Sequence, residues 1–546
     1  MNLPFELQKT ITGEVITDEL TLQKYSRDTS IFEMTPSVIV SPKDIEDLKN
    51  LVKYVSSHKK NDPALSLTAR TAGSDMSGGP LTTSISVDFM QHFNQIKSIT
   101  DSYTIVEPGV YFRDLETRLN EKELLYPPYP ASKDLCAIGG IVNNNSAGEK
   151  TLQYGKTNKY ILGLNMVLSD GEEHYFEKLS KAQLQNKMKS TSYEGKLFKK
   201  LYALLSENEE AIFSSRPQVS KNSSGYNIWD VIDKEGNFDI TQIVCGAQGT
   251  LGFITEAKLK LVPNPKKEKL YVVFINNMDD LPNFVQDVLK LKPTSLEITD
   301  DHTFKIYLKY AREMASLLGS HGIFATMKLF LPETMLIARH GMPKLIVLVE
   351  FEGDETKILS DEIKSLVEIV KKYKMSGHYC KTKKDADKYW KLRRDTFKLL
   401  REKIKDRHST PFVDDIIVRP ECLPEFLPKL TQILDKHKLF YTISGHLGDG
   451  NLHIIPLMDL KNPDERKKIF PATDEVYKLV LEYKGSLSAE HNDGLIRSPY
   501  LKEQFGDKVY KIFHEIKNIF DPLNIFNPHK KIGVTKEFAQ KYMIKT

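Results

Sequence analysis

The chain has 546 residues, of which 40% are hydrophobic and 27% charged, and its net charge is +4 at pH 7. That is the balance of an ordinary folded protein with room for about two to four domains. It is too near neutrality for a nucleic-acid-binding chain, which carries a strongly basic face or stripe.

Residues 1–35 are polar with short helical patches, and Met1 to Thr10 has no basic segment followed by an apolar core, so no leader is expected. Pro36 to Val40 reads as a strand. Ser41-Pro42-Lys43-Asp44 then opens a helix, with Ser41 as its cap and Pro42 in its first turn. Ala64 to Ala69 and Ile85 to Phe89 are short apolar strands. They flank a small-residue loop, Arg70-Thr71-Ala72-Gly73-Ser74-Asp75-Met76-Ser77-Gly78-Gly79. Thr104 to Glu107 is a further strand, and Phe112 to Lys122 has helical spacing through Phe112, Leu115 and Leu119. After the rigid turn Tyr126 to Pro130 comes Ile138 to Gly148. It is so dense in Gly and Asn that left-handed backbone and close approach to a ligand are expected rather than a regular helix. Tyr160 to Leu168 reads as a strand. Gly246 to Gly252 is a third glycine-dense loop, followed by the strand Ile254 to Leu261. Pro263-Asn264-Pro265 marks a domain boundary.

Beyond that boundary, strands at Leu270–Ile275, Leu296–Ile298 and Ile346–Phe351 alternate with helical stretches at 279–292, 303–318 and 359–373. Residues 383–405 form a charged helix with Trp390, Arg393 and Arg394. Phe440 to Ser444 and Leu452 to Leu457 form two strands joined by a Leu-Gly-Asp-Gly-Asn turn. No apolar run approaches the roughly 18–20 residues of a membrane span. Cys136, Cys245, Cys380 and Cys422 form no CxxC pair, so neither disulfides, a zinc knuckle nor an iron–sulfur cluster is expected. Reduced thiols fit a cytoplasmic protein. The lysine-rich tail reads as a solvated end, with peripheral contact to the inner membrane face as the alternative.

Three constellations carry chemistry. The first loop lies between strands, so it is not a dinucleotide fingerprint whose glycines open a helix. Its successive N–H groups can form an anion-binding nest, and a glycine-rich hairpin that binds nothing is the bland alternative. Three such loops in one N-terminal unit point to one extended ligand with the shape of a dinucleotide. The second constellation is His446 and His453 on either side of the glycine turn, with Glu490-His491 downstream. Two histidines and a carboxylate suit an open zinc-type site with a spare base beside it. Asp449, in an Asp-Gly step, reads as a turn residue. Third, Arg393 and Arg394 follow Trp390. They form either a solvated face or a carboxylate clamp, for which arginine's planar fork is suited.

Taken together, these residues resemble the FAD-linked oxidases of the vanillyl-alcohol oxidase (PCMH-type FAD-binding) superfamily. The nearest branch holds D-lactate dehydrogenase, glycolate oxidase large subunit and D-2-hydroxyglutarate dehydrogenase. The family's phosphate loop matches Arg70 to Gly79, its PGV element Pro108-Gly109-Val110, and its PxS…TIGG…NAGG run Pro130 to Gly148. Its YGxT matches Tyr154 to Thr157, its KNxxGY Lys221 to Tyr226, and its GSEGTLG Gly246 to Gly252. GHxGDGNxH stands intact at Gly445 to His453, and the EH-plus-glycine motif is Glu490 to Gly494. The resemblance covers about residues 35 to 533.

It implies an α+β protein. A PCMH-type FAD-binding domain of two α+β subdomains (1–265) precedes an α+β FAD-linked oxidase C-terminal (cap) domain with the metal-site hairpin (266–460). A C-terminal helical segment (461–546) then returns to the FAD domain. FAD is expected to be noncovalent. The resemblance places it against Arg70, Ala72, Gly73, Ser74, Asp75 and Gly78. It adds Pro130, Ser132, Gly139, Gly140, Asn143, Asn145, Ser146 and Gly148, then Gly249, Ile254 and Asn527. A divalent metal, zinc or manganese, would lie on His446, His453 and Glu490. His491 would be the base and Arg393 the substrate-carboxylate partner. The implied activity is oxidation of a D-2-hydroxy acid, with electrons passing to a quinone, cytochrome, electron-transfer flavoprotein or separate iron–sulfur subunit. A homodimer is compatible with all of this.

The chain departs from the family at Thr71, Asp75, Ala247, Gln248 and His529. Ile455 stands where a 2-hydroxyglutarate enzyme would offer a polar Asn, and Pro411-Phe412-Val413 where it would offer a lysine. D-lactate is therefore expected ahead of D-2-hydroxyglutarate or glycolate. A non-redox transferase of the alkylglycerone-phosphate synthase type and a non-catalytic flavin-fold subunit are the rival readings. The intact His/His/Glu/His set argues against both.

Overall fold

The computed structural model describes residues 2–303, 305, 338–339, 341–391, 393 and 407–545. The helix expected at 303–318 falls almost wholly outside them, as does the second half of 383–405 with Arg394.

Two sheets build the N-terminal half. The first contains β1 (Glu14–Ile16), β2 (Val38–Ser41), β3 (Leu67–Arg70) and β4 (Ile85–Asp88), in the order β1-β2-β4-β3. β4 runs parallel to both β2 and β3. Their apolar side chains are covered by the helix Ile45–His58, through Leu48, Leu51, Val52 and Val55. The parallel pairing of β3 with β4 removes the hairpin alternative for the first glycine loop, which must cross back over the sheet. Ser41 is the last residue of β2, not a cap. The helix starts at Ile45, where the Asp44 carboxylate accepts from the Asp47 N–H.

The second sheet holds β5 (Ile96–Ile99), β6 (Tyr103–Val106), β8 (Ile161–Val167), β9 (Glu173–Phe176) and β10 (Phe253–Lys260). Its order is β5-β6-β10-β8-β9 and its pairs are antiparallel. A ribbon of β7 (Leu124–Leu125) and β11 (Val262–Pro263) leads out of it. The Gly/Asn-rich segment contradicts the expectation of irregular backbone, because Ile138–Asn144 is an α-helix. Its glycines are there for close packing: a Cβ on Gly139 would stand 2.7 Å from the Pro108 Cβ. The left-handed residue is Asn145 (φ 50°), which ends the helix.

The C-terminal half is one large sheet. Its strands are β12 (Lys267–Ile275), β13 (Ser295–Asp300), β14 (Leu345–Gly353), β15 (Ser376–Tyr379), β16 (His408–Ser409), β18 (Tyr441–His446) and β19 (Asn451–Met458). The order is β15-β12-β14-β13-β18-β19-β16, with β17 (Ile416–Ile417) also on β19. The amphipathic helices Leu281–Lys290, Thr356–Lys372, Leu423–Lys436 and Ile469–Glu482 share its apolar core.

The helix Leu501–Phe520 then crosses back. Leu501, Phe505, Val509 and Phe513 join the core of the second sheet, and Phe526 bridges Leu67 beside β3. Lys517 secures this return. Its buried ammonium donates to the Thr250 and Phe526 carbonyls and to Asp521, at 2.6 Å each. Burial lowers its pKa, and Asp521 opposes that fall. Removing one partner of a buried pair typically costs about 3–5 kcal/mol. Lys517→Met is accordingly expected to lower stability by about that much, read as a fall in the urea midpoint at unchanged slope.

Candidate active site

A cavity of about 790 Å³ runs from the first glycine loop to the GHxGDGNxH hairpin. At its first end the loop after β3 turns at Gly73 (φ 70°) and Gly78 (φ 85°). Asp75 explains its shape. One carboxylate oxygen accepts from the Ser77 and Gly79 N–H groups and the Ser77 hydroxyl, and the other from the Asn144 amide. The acid that departs from the family pattern thus fills the loop's own nest. Gln248, another departure, is a strut: it donates to the Ser77 hydroxyl and accepts from the Gly494 N–H. Asn143 ties the second loop to the third by accepting from the Gly249 N–H.

Most of the expected cofactor contacts line this cavity. Arg70, Gly73, Ser74 and Asp75 do so in the first loop, as do Pro130, Ser132, Gly139, Gly140, Asn143 and Ser146 in the second and Gly249 and Ile254 in the third. The Arg70 guanidinium is nonetheless spent elsewhere, on the Tyr25 and Arg27 carbonyls. Ala72, Gly78, Asn145, Gly148 and Asn527 do not line it. A Cβ at Gly73 would meet the Arg70 guanidinium, and one at Gly78 would meet Phe32 and Leu495. Asn145 accepts from the Asn158 N–H, and Gly148 lies so close to the Tyr129 carbonyl that a Cβ would clash at 2.1 Å. Asn527 braces the loops by donating to the Gly79 and Gln248 carbonyls.

At the other end stand His446, His453, Glu490, His491 and Arg393. The β18–β19 hairpin brings the first two together, with ring centroids 5.2 Å apart. The Nε2 of each is 3.2 Å from the same Glu490 oxygen. Each Nδ1 is held by a buried carboxylate, His446 by Glu297 at 2.6 Å and His453 by Asp414 at 3.1 Å. With Nδ1 donating, each Nε2 needs either a proton or a cation between it and Glu490. Burial pulls the His453 pKa down, but Asp414 and Glu490 more than offset it and hold it up at about 10. Burial would raise Glu490, yet His446 and Lys221 hold it well below the usual carboxylate range.

With the Nε2 protons displaced, two imidazole nitrogens and one carboxylate oxygen, each imidazole backed by a carboxylate, would suit a divalent cation of zinc type. The 3.2 Å spacings suit neighbours around one ion bound at about 2.0–2.2 Å. Asp415 also stands close to His453, Glu490 and His491. One of its oxygens is spent on the N–H groups of Glu490 and His491 and on the Ser488 hydroxyl, which fix the backbone of the Glu-His pair. The other Asp415 oxygen accepts from the Asn451 amide, so His446, His453 and Glu490 offer three donor atoms to one cation, and His491 stands close enough to His453 and Glu490 to offer a fourth.

His491 turns Nδ1 to the second Asp414 oxygen at 2.7 Å, which leaves Nε2 as the acceptor. Burial lowers its pKa, and Asp414 and Asp415 outweigh that, so its basicity is raised overall. Arg393 is buried and pairs with Glu297 at 3.1 Å, while its Nε has no hydrogen-bond partner. Asp449 sits in the turn as expected, and it also anchors Lys221 at 3.1 Å and Ser220. Sequence reasoning missed Glu297, Asp414, Asp415 and Lys221 as members of this site. Glu297 in the apolar run Leu296–Ile298, and two acids after Phe412-Val413, were the available signals. Cys136, Cys245 and Cys422 are free thiols, and among the described residues no helix is long and apolar enough to cross a membrane.

Glycine loops thus stand at one end of the cavity and a histidine–carboxylate cluster at the other. Residues 36–176 match the family model of the FAD binding domain, and residues 264–531 that of the FAD linked oxidases, C-terminal domain. The chain belongs to the PCMH-type FAD oxidase superfamily. It spans about half the length of several relatives it matches. D-2-hydroxyglutarate dehydrogenase of Pseudomonas putida is 27% identical over 525 residues, which cover 95% of this chain and 50% of that one. The glycolate oxidase subunit GlcD of Bacillus subtilis is 26% identical, covering 93% and 91%. D-lactate dehydrogenase of Archaeoglobus fulgidus is 23% identical, covering 91% of each. In fold, the chain is similar to 4-ethylphenol oxidase of Gulosibacter chungangensis, with TM-score 0.69, 17% identity and coverage of 98% and 97%. It is also similar to alkyldihydroxyacetonephosphate synthase, with TM-score 0.65, 16% identity and coverage of 97% and 86%.

Asp414 orients two imidazoles at once. Loss of such an outer carboxylate typically costs about 10–100-fold in metal affinity or activity. Asp414→Asn is expected to weaken zinc binding by that factor, measured by competition with a chromophoric chelator.

Proposed function

We propose that the protein oxidises a D-2-hydroxy acid to the 2-oxo acid, with D-lactate as the first substrate to try. The observation that carries this is His491. Its Nδ1 is fixed by Asp414 at 2.7 Å, and it lines the cavity beside His453 and Glu490. When bound, FAD supplies the two-electron acceptor and a divalent cation the Lewis acid that makes a hydroxyl easier to deprotonate. The residues supply the rest. Arg393 binds the substrate carboxylate and orients the carbon–hydrogen bond. His491 takes the hydroxyl proton at Nε2 while the α-hydrogen leaves with its electron pair. Electrons then pass to a quinone, a cytochrome or a protein acceptor.

The names of several relatives favour D-2-hydroxyglutarate as a second reading. Ile455 supports the monocarboxylate instead. It lines the cavity two residues beyond His453 and offers nothing to a second carboxylate.

The anaerobic visible spectrum tests the reading. Yellow protein should bleach on addition of D-lactate and fail to bleach after zinc is removed with a chelator. Bleaching by D-2-hydroxyglutarate but not D-lactate would move the reading to the dicarboxylate. No bleaching with any 2-hydroxy acid, together with alkyl exchange lacking any electron acceptor, would replace it with the transferase. His491→Ala should lower turnover about 100- to 10,000-fold, the usual worth of a general base, with flavin content unchanged.

A further inference from the structure

Glu297 lies on β13 directly opposite His446 on β18, in a register that places both side chains on one face of the sheet. Its two oxygens go to two different parts of the site. Oε1 is 2.6 Å from His446 Nδ1, and Oε2 is 3.1 Å from Arg393 Nη2. The carboxylate is 2% exposed, so water cannot take the place of either partner at low cost. Arg393, also buried, is left with an Nε that has no partner. The other side of the site is arranged the same way, with Asp414 bridging His453 and His491.

From this geometry we infer that Glu297 is a positioning residue that couples the cation site to the substrate-carboxylate clamp. One oxygen holds the Nδ1–H tautomer of His446, which leaves Nε2 as the donor. The other holds the Arg393 fork in one orientation, with Nε in reserve for the substrate. The inference rests on the function proposed above for the identity of the clamped group, but its first readout does not depend on turnover.

Glu297→Gln tests it. Glutamine keeps the size and can still accept from one partner, but its amide N–H₂ faces the other as a second donor. Zinc affinity, read by chelator competition, should fall about 10–100-fold, and KM for the oxidised acid should rise about tenfold with a smaller change in kcat. The double variant with Arg393→Met should have nearly the KM of Arg393→Met alone, because Glu297 acts on the substrate only through that arginine. Unchanged zinc affinity in Glu297→Gln overturns the inference. So does a KM in the double variant equal to the product of the two single effects. Should Glu297→Gln fail to fold, Arg393→Met alone remains decisive. Arg393 touches none of the ligands, yet its loss should move zinc affinity at least about threefold through Glu297, and no movement would refute the coupling. If no 2-hydroxy acid is oxidised, the proposed function fails on its own. Zinc affinity, with calorimetric binding of oxalate in place of KM, still reads this inference.

Discussion

Glu490 holds a carboxylate, 6% exposed, against two imidazoles and the Lys221 ammonium. Taking that many charges out of water is expensive unless each one is matched. Much of the surrounding structure does the matching. Glu297 and Asp414 take the outer nitrogens of the histidines, Asp449 shares Lys221, and Asp415 receives the backbone N–H groups on either side of the Glu–His step. Beneath them Lys156, lowered to about 7 by burial, donates to the Ala489 and Asn222 carbonyls. No single element supplies these groups. They come from β13, β18, β19, the turn before β17, the segment after residue 486 and two loops of the N-terminal half.

That distribution makes the site a seam. The glycine loops belong to the first two sheets, the histidine hairpin to the large sheet, and Glu490-His491 to the segment leading into the returning helix. A small displacement of any of them would move His491, the His446/His453/Glu490 cluster and Arg393 relative to one another. Lys517 and Asn527, far from the chemistry, matter for this reason, since both tie the returning C-terminal segment to the loops. The same logic accounts for Asp75 and Gln248. An acid in this glycine loop looks adverse in the sequence, yet it accepts from the loop's own N–H groups while Gln248 braces Ser77.

Elements with their own local signal were legible. The amphipathic helix Thr356–Lys372, the strand Leu345–Gly353 and the β18–β19 hairpin carry periodicity or turn chemistry that neighbours cannot easily override. Where the reading failed, a neighbour decided. Ile138–Asn144 is helical because its glycines let it lie against Pro108 and Thr71, a reason invisible in the segment itself. Ser41 looked like a cap, but Asp44, three residues on, offers the better acceptor.

From the sequence alone came the motif-bearing residues: three glycine loops, the His446/His453 pair and Glu490-His491. The tertiary structure alone decided which carboxylates back which imidazoles and which loop residues face the cavity. It also decided that Glu297, in an otherwise apolar strand, belongs to the site. Those outcomes depend on strand register and on pairing across hundreds of residues. Whether a buried charge is tolerable depends on the partner the fold delivers to it, not on its neighbours in the chain.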